Sequence, residues 1–280
     1  MKLLYTADLH GHRWKYESCL KQAIAVGADV IINGGDMLPK QGNFFTQDQF
    51  IYDFLDDYFS QLTEASIPYL CCLGSDDLRI WDVPFDQMCQ KHDGIYNLAQ
   101  QQVTLAETTF MGMNWIADTP FGLKDRCRLD TLDGPYLEQF GPSVLSAPDG
   151  WQEIPDWHAY IRQQPTLTDE LAALPTVPAN HRSVYVIPMP PHRLELDACA
   201  DGNRVGSKAV YDFLAHTQPH LALHGLIHKS PAVTNLWQAN LKSTLCIQPG
   251  QMEDFTSVLI DLETLDTARH TLKQPDNIKR

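Results

Sequence analysis

The sequence has no long apolar segment, and it carries far fewer positive than negative charges. No apolar run approaches the roughly 18 residues that a membrane-spanning helix requires. The N-terminus enters a strand-like segment directly, without the basic and then apolar regions of a secretory signal. The net charge is −14, from 35 acidic and 21 basic residues. We expect neither a membrane protein nor a general nucleic-acid binder, because anionic membranes and nucleic acids both attract positive surfaces.

Several sequence motifs are also missing. The seven cysteines are odd in number and contain no C-x-x-C pair. This pattern favours reduced, buried thiols in a cytoplasmic protein over a disulfide framework or a cysteine-rich zinc site. The G-x-G-x-x-G and G-x-x-x-x-G-K-[ST] motifs of nucleotide-binding domains are absent, and so is the G-x-S-x-G turn of serine hydrolases. A nucleotide-binding doubly wound domain and a serine hydrolase are therefore disfavoured.

The first third of the chain has a regular pattern of alternating strands and helices. Residues 2–7 predict a buried strand, and apolar residues at helical spacing follow until Gly27 ends the helix. The apolar segment 29–33 predicts a second strand, parallel to the first. We expect Thr46 to cap the next helix, whose apolar stripe from Phe50 to Leu62 indicates core packing.

The remaining pattern predicts one domain, residues 1–280, with an insert. Between 118 and 181 the chain is rich in Pro, Gly, Trp and Asp. A structureless loop of this length is unusual in a compact domain, so we interpret it as an inserted lid or cap. Within it and beyond it, we expect helices near 168–174 and after Ser207, and strands at 69–73, 109–116, 183–187, 220–224, 245–248, 256–262 and 270–272.

Polar side chains follow four of the predicted strands at the points where the strands end. They are Asp8 and His10, Asp36, the Ser75-Asp76-Asp77 turn, and His228. Because ligands bind at the carboxyl ends of the strands in open α/β sheets, we expect one sheet edge to gather them. Carboxylate oxygens and neutral imidazole nitrogens bind first-row divalent metals. The alternative is a set of polar turns without a metal.

The order of these motifs resembles that of the calcineurin-like metallophosphoesterase superfamily. The motifs read Asp8-Leu9-His10, Gly35-Asp36, Gly74-Ser75-Asp76-Asp77, Pro188-Met189-Pro190-Pro191 and Gly225-Leu226-Ile227-His228. The resemblance extends from Met1 to about Leu262, apart from the insert. It implies an α/β fold, a four-layer αββα sandwich of two mixed sheets flanked by helices. It also implies metal-dependent hydrolysis of a phosphorylated small molecule or another phosphoester.

The resemblance assigns four ligands to a first metal ion, and all four are present: Asp8, His10, Asp36 and His228. The positions of three further ligands, which would hold a second metal ion, carry Ser75, Pro188 and Leu226. Proline and leucine have no side-chain ligand atom, and serine is a poor ligand. Asp76 stands where the superfamily has a proton-donating histidine. The resemblance therefore implies one complete metal site and an altered second one.

The sequence leaves the use of this site open. Asp76 together with His192 or His12 would be able to rebuild the second site; otherwise both histidines are solvated loop residues. In a phosphoesterase, Asp76 would act as an acid or an extra ligand, and Ser75 would orient phosphate. The metal would be Mn, Fe, Ni or Zn, because Asp/His sets suit several ions. The alternative function is a catalytically inactive binding or regulatory protein that keeps the fold.

Overall fold

Two six-stranded mixed sheets form the middle of the fold in the computed structural model, and helices cover their outer faces. The structure describes residues 1–178 and 180–276. The predicted 1–280 domain and 118–181 insert each include positions outside these ranges. The strands are β1 (Lys2–Thr6), β2 (Val30–Asn33), β3 (Tyr69–Cys71), β4 (Ile95–Asn97), β5 (Gln102–Leu105), β6 (Thr108–Gly112), β7 (Ile116–Ala117), β8 (Cys127–Arg128), β9 (Val144–Ala147), β10 (Gly150–Glu153), β11 (Arg182–Val186), β12 (Leu221–Leu223), β13 (Gln238–Leu241), β14 (Thr244–Ile247), β15 (Phe255–Asp261) and β16 (Thr267–Leu272).

The first sheet has the order β16-β15-β1-β2-β3-β4, and the second has the order β13-β14-β12-β11-β6-β5. In the first, β1 to β4 are parallel, while β15 is antiparallel to both β1 and β16. In the second, β14, β12, β11 and β6 are parallel, with an antiparallel strand at each edge. The parallel strands of each sheet therefore end at the same edge of that sheet. The parallel pairing of β1 with β2 confirms the prediction made from the start of the chain.

Strand alternation explains why two sheets stack. Leu3 and Tyr5 of β1 point into the apolar layer between the sheets, and Val184 and Val186 of β11 meet them there. Leu4 points the other way, toward the helices. The sequence of a strand that is buried on both faces is a nearly continuous run of apolar residues, as it is in β1. The four-layer αββα prediction is confirmed.

The helices lie on the outer faces of this sandwich. They are α1 (Arg13–Val26), α2 (Gln47–Phe50), α3 (Asp56–Glu64), α4 (Asp82–Lys91), α5 (Trp157–Ile161), α6 (Leu167–Ala172), α7 (Lys208–Thr217) and α8 (Ser230–Thr234). A π-helical turn, Ile51–Leu55, joins α2 to α3. Gly27 ends α1 at φ 62°, as predicted. Among the residues that the structure describes, no helix has the length and apolarity needed to cross a bilayer.

Three local predictions need correction. Thr46 does not cap the helix through its side chain; its hydroxyl donates to the carbonyl of Asn43, because Asn43 caps a preceding 3₁₀ turn. The strand predicted at 109–116 ends at Gly112. The polar turns do not share one sheet edge, since His228 follows β12 of the second sheet. The ends of both sheets meet at the site.

The 118–181 segment holds short elements and contacts the turn after β3. Helices α5 and α6 pack on the second sheet, and β9 and β10 form a hairpin. Arg126 donates through Nε to the carbonyl of Gly74 at 2.7 Å, and the backbone of Arg79 donates to Asp125 at 2.7 Å. Trp151 of the hairpin lies 4.8 Å from the ring of Phe45. The segment thus supports the turn that contains Ser75 and Asp76.

Candidate metal centre

Backbone hydrogen bonds hold the first two polar turns side by side. The amide of Asp8 donates to the carbonyl of Gly35 at 2.9 Å, and the amide of His10 donates to that of Asp36 at 2.9 Å. A third bond joins the amide of Gly11 to the carbonyl of Met37 at 2.8 Å. The pairing of β1 with β2 is therefore prolonged beyond the strands, which fixes where these side chains start.

The backbone at these turns adopts an unusual conformation. Asp8, His10 and Asp36 have φ values of 57°, 46° and 49°, and Leu226 has 67°. Side-chain-bearing residues seldom adopt this left-handed region, and such residues cluster at functional sites where the surrounding structure stabilises them. For Leu226 the support is visible, because its amide donates to both carboxylate oxygens of Asp8 at 3.1 Å. This bond connects the two sheets at the site.

Three of the four predicted ligands form one cluster. The ligand atoms of His10, Asp36 and His228 all lie within 4.8 Å of one another, and the two Nε2 atoms are 3.1 Å apart. Asp8 lies beside them, with its Oδ1 3.8 Å from His228 Nε2. Asp36 accepts from the amide of Asp76 at 2.8 Å. The cluster combines carboxylate and imidazole donors, a ligand set that suits divalent transition metals.

Burial sets the protonation of this cluster. It lowers the pKa of His10, and it lowers the pKa of His228 to about 4, so both rings are neutral. Burial raises the pKa of Asp8 to about 7 and raises the pKa of Asp36 well above its ordinary value. Desolvated carboxylates beside neutral imidazoles attract a cation, because a cation would offset the cost of burying the negative charge.

The tautomer of His10 also fits a metal ligand. Its Nε2 faces the ammonium of Lys40 at 3.2 Å, and ammonium only donates, so Nε2 accepts and the proton lies on Nδ1. Within the described residues Nδ1 is buried without a hydrogen-bond partner. A neutral imidazole with its lone pair on Nε2 is a form that binds metals. The residues present therefore fit a divalent cation.

Comparison with known proteins shows similarity in structure. A protein of Thermus thermophilus is 18% identical, with 96% of this chain and 98% of that chain covered and a TM-score of 0.59. A dimetal phosphatase from Danio rerio is 10% identical, with 98% and 99% covered and a TM-score of 0.50. The chain has the calcineurin-like metallophosphoesterase fold. No family profile matches the sequence, and no curated protein is significantly similar to it.

The three positions that the sequence resemblance assigns to a second metal ion offer few ligand atoms. Pro188 lies against Gly35, where an added Cβ would be 3.5 Å from its Cγ. Leu226 packs against the apolar cluster of the second sheet. Ser75 donates its hydroxyl to Asp36 Oδ2 at 3.2 Å. Pro188 and Leu226 thus contribute packing contacts, and Ser75 contributes a hydrogen bond to Asp36.

The other predicted residues lie at different distances from the cluster. Asp76 is partly exposed, and its Oδ2 is 3.9 Å from His10 Nδ1. His12 precedes α1 and makes no side-chain cap. His192 packs its ring against Tyr211, with centroids 4.8 Å apart. Among the described residues, neither His12 nor His192 joins the metal-ligand cluster.

Two residues that shape the site were given no role by sequence reasoning. Asp77 is fully buried and accepts from the amides of Met37, Leu38 and Gly74 at 2.7–2.9 Å, which ties the second turn to the third. The only sequence signal for Asp77 was its place in the third motif. Lys40 places its ammonium beside His10, and its only signal was its position four residues after Asp36.

Proposed function

We propose that this protein hydrolyses phosphoric esters with one divalent cation held by Asp8, His10, Asp36 and His228. The observation that carries the proposal is the convergence of His10, Asp36 and His228, whose ligand atoms lie within 4.8 Å of one another where the ends of the two sheets meet. When bound, a divalent cation supplies Lewis acidity to a phosphoryl oxygen and lowers the pKa of a water molecule. The substrate would be a phosphorylated small molecule or another phosphoester.

The chain's own residues would hold and orient the reacting groups. The amide of Leu226 orients Asp8, while the amide of Asp76 and the hydroxyl of Ser75 orient Asp36. We therefore propose that Ser75 positions Asp36, in addition to its predicted role toward phosphate. Desolvation raises the pKa of Asp76. In its protonated form Asp76 would donate to a leaving alkoxide, as a general acid does.

The test is turnover of p-nitrophenyl phosphate and bis-p-nitrophenyl phosphate with manganese, iron, nickel or zinc supplied separately. We expect at least one metal to support hydrolysis and Asp36→Asn to abolish it. Asp93→Asn, which removes one exposed carboxylate elsewhere, is the matched control and should keep the activity. A rate no higher than background with every metal, or an active Asp36→Asn protein, would contradict the proposal.

A second candidate function is a non-catalytic binding protein with this fold. The observation that favours it is the packing of Pro188 and Leu226 at positions where the superfamily has ligands. Elemental analysis of protein purified without added metal separates the possibilities. One equivalent supports the single-cation site, two equivalents would mean a rebuilt second site, and none together with no turnover would favour the binding protein.

A further inference from the structure

Lys40 brings a positive charge to the cluster from the turn after β2. Its Nζ lies 3.2 Å from His10 Nε2 and 3.9 Å from Asp76 Oδ2. The turn that carries Lys40 is held by two hydrogen bonds. The carbonyl of Met37 accepts from the Gly11 amide, and the carbonyl of Pro39 accepts from the Gln47 side chain at 3.0 Å. The Lys40 side chain is 38% exposed, so the ammonium faces both the cluster and the solvent.

The contact between Lys40 and His10 excludes a metal ion from the same nitrogen. Nε2 of a neutral imidazole has one lone pair, and it either accepts from the ammonium or binds a cation. A metal ion on His10 would therefore release Lys40 from its nearest partner. A second partner, Asp76, lies at 3.9 Å with 38% of its side chain exposed, a separation and exposure at which ion pairs are weak.

Positive charge is what the altered second site lacks. Two cations in the usual arrangement neutralise a phosphoryl group, and here Pro188 and Leu226 offer no ligand for the second. A lysine ammonium binds phosphate as a point charge. The neighbouring Lys15 does not fill this role, because it is buried and donates to the carbonyl of Met252 at 2.5 Å.

We propose that Lys40 binds the phosphoryl oxygens of the substrate in place of a second cation, and that it competes with the first cation for His10. The proposal rests on the proposed function for its substrate class. It assigns a binding role to a residue outside the superfamily motifs. It also explains how a site with a single set of metal ligands would hold a doubly charged anion.

The experiment measures Mn²⁺ and inorganic phosphate binding by titration calorimetry, the latter with and without Mn²⁺. Lys40→Met is compared with Lys40→Arg and with Lys21→Met, which removes an exposed lysine from α1. Lys40→Met should bind Mn²⁺ about tenfold more tightly, because a like charge is gone from the cation site. The same variant should bind phosphate about tenfold more weakly, and Lys40→Arg should restore most of that loss.

Two results would overturn the role of Lys40. One is a Lys40→Met protein whose phosphate affinity matches that of Lys21→Met. The other is weaker Mn²⁺ binding by Lys40→Met, which would make Lys40 a structural support of the site. A wild-type protein that binds no Mn²⁺ would overturn the metal-dependent function instead. The metal-free phosphate titration still decides the role of Lys40 in that case, because the proposal requires Lys40→Met to bind phosphate more weakly than Lys21→Met does.

Discussion

The Nε2 atoms of His10 and His228 lie 3.1 Å apart, although 218 positions separate the two residues in the chain. His10 follows a strand of the first sheet and His228 follows a strand of the second. Burial lowers the pKa of both rings. Two neutral imidazoles thus meet where the ends of the two sheets come together, and a single cation there would contact both.

Metal binding should stabilise the wild-type protein through Asp36. Mn²⁺ at about 100 times its dissociation constant adds about 2.7 kcal/mol to the free energy of unfolding. For a chain of 280 residues, whose unfolding entropy is about 0.6 kcal/mol/K, that gain raises Tm by about 4–5 °C. Asp36→Asn should lose this rise, while Asp93→Asn should keep it, in a thermal melt with and without Mn²⁺. An equal rise of Tm in the Asp36→Asn protein would show that Asp36 is not a metal ligand.

Asp8 should make the metal-free protein less stable as pH rises. Burial raises its folded-state pKa to about 7, above the unfolded value of about 3.9. A raised pKa contributes stability below about pH 4, and that stability is lost as pH increases through 7. With a chelator present, the stability of Asp8→Asn relative to wild type should therefore increase by up to about 4 kcal/mol between pH 4 and pH 8.

Denaturant unfolding at several pH values measures this difference. Taking the difference between the two proteins cancels the contribution of His10 and His228, whose lowered pKa values act in the opposite direction. A difference that stays constant across this range would mean that Asp8 is not desolvated in the folded protein.

Asp77→Ala should destabilise the fold by about 2–4 kcal/mol, because it leaves three buried amides without their acceptor. These amides belong to Met37, Leu38 and Gly74. Asp76→Ala removes the neighbouring, partly exposed carboxylate and should cost under about 1 kcal/mol. Urea unfolding of both variants checks the contrast. Equal losses in the free energy of unfolding would show that Asp77 does not hold the two turns together.

Gly74→Ala should weaken metal binding. An added Cβ at Gly74 would overlap the backbone nitrogen and the carboxylate of Asp36, so Asp36 must move. Displacing the support of a ligand typically costs 10–100-fold in metal affinity, and we expect a loss in that range. Gly141→Ala is the control, because an added Cβ there meets nothing within 4 Å. Calorimetric Mn²⁺ titration and circular dichroism give the two readouts.

The strands were predictable where both of their faces are buried. Lys2–Thr6 and Val30–Asn33 are runs of apolar residues that end in acidic turns, and the structure places strands there. The short edge strands Ile95–Asn97 and Gln102–Leu105 were missed, because their partly exposed faces leave no continuous apolar run. Ser207 was correctly placed at the start of a helix, where its hydroxyl accepts from the amide of Val210 at 2.9 Å.

The sequence by itself determined the alternation of strands and helices in the first third of the chain and the polar turns at strand ends, because these depend on local patterns of apolar and polar residues. The order of those turns resembles the motifs of the superfamily, and that resemblance implied the αββα fold and the four residues of the proposed ligand set. Only the tertiary structure decided that these turns come from two sheets. It also decided that Asp77 joins two of the turns and that Lys40 lies 3.2 Å from His10. Those relations depend on backbone dihedrals and on the packing of distant segments, and neither leaves a periodic signal in the chain.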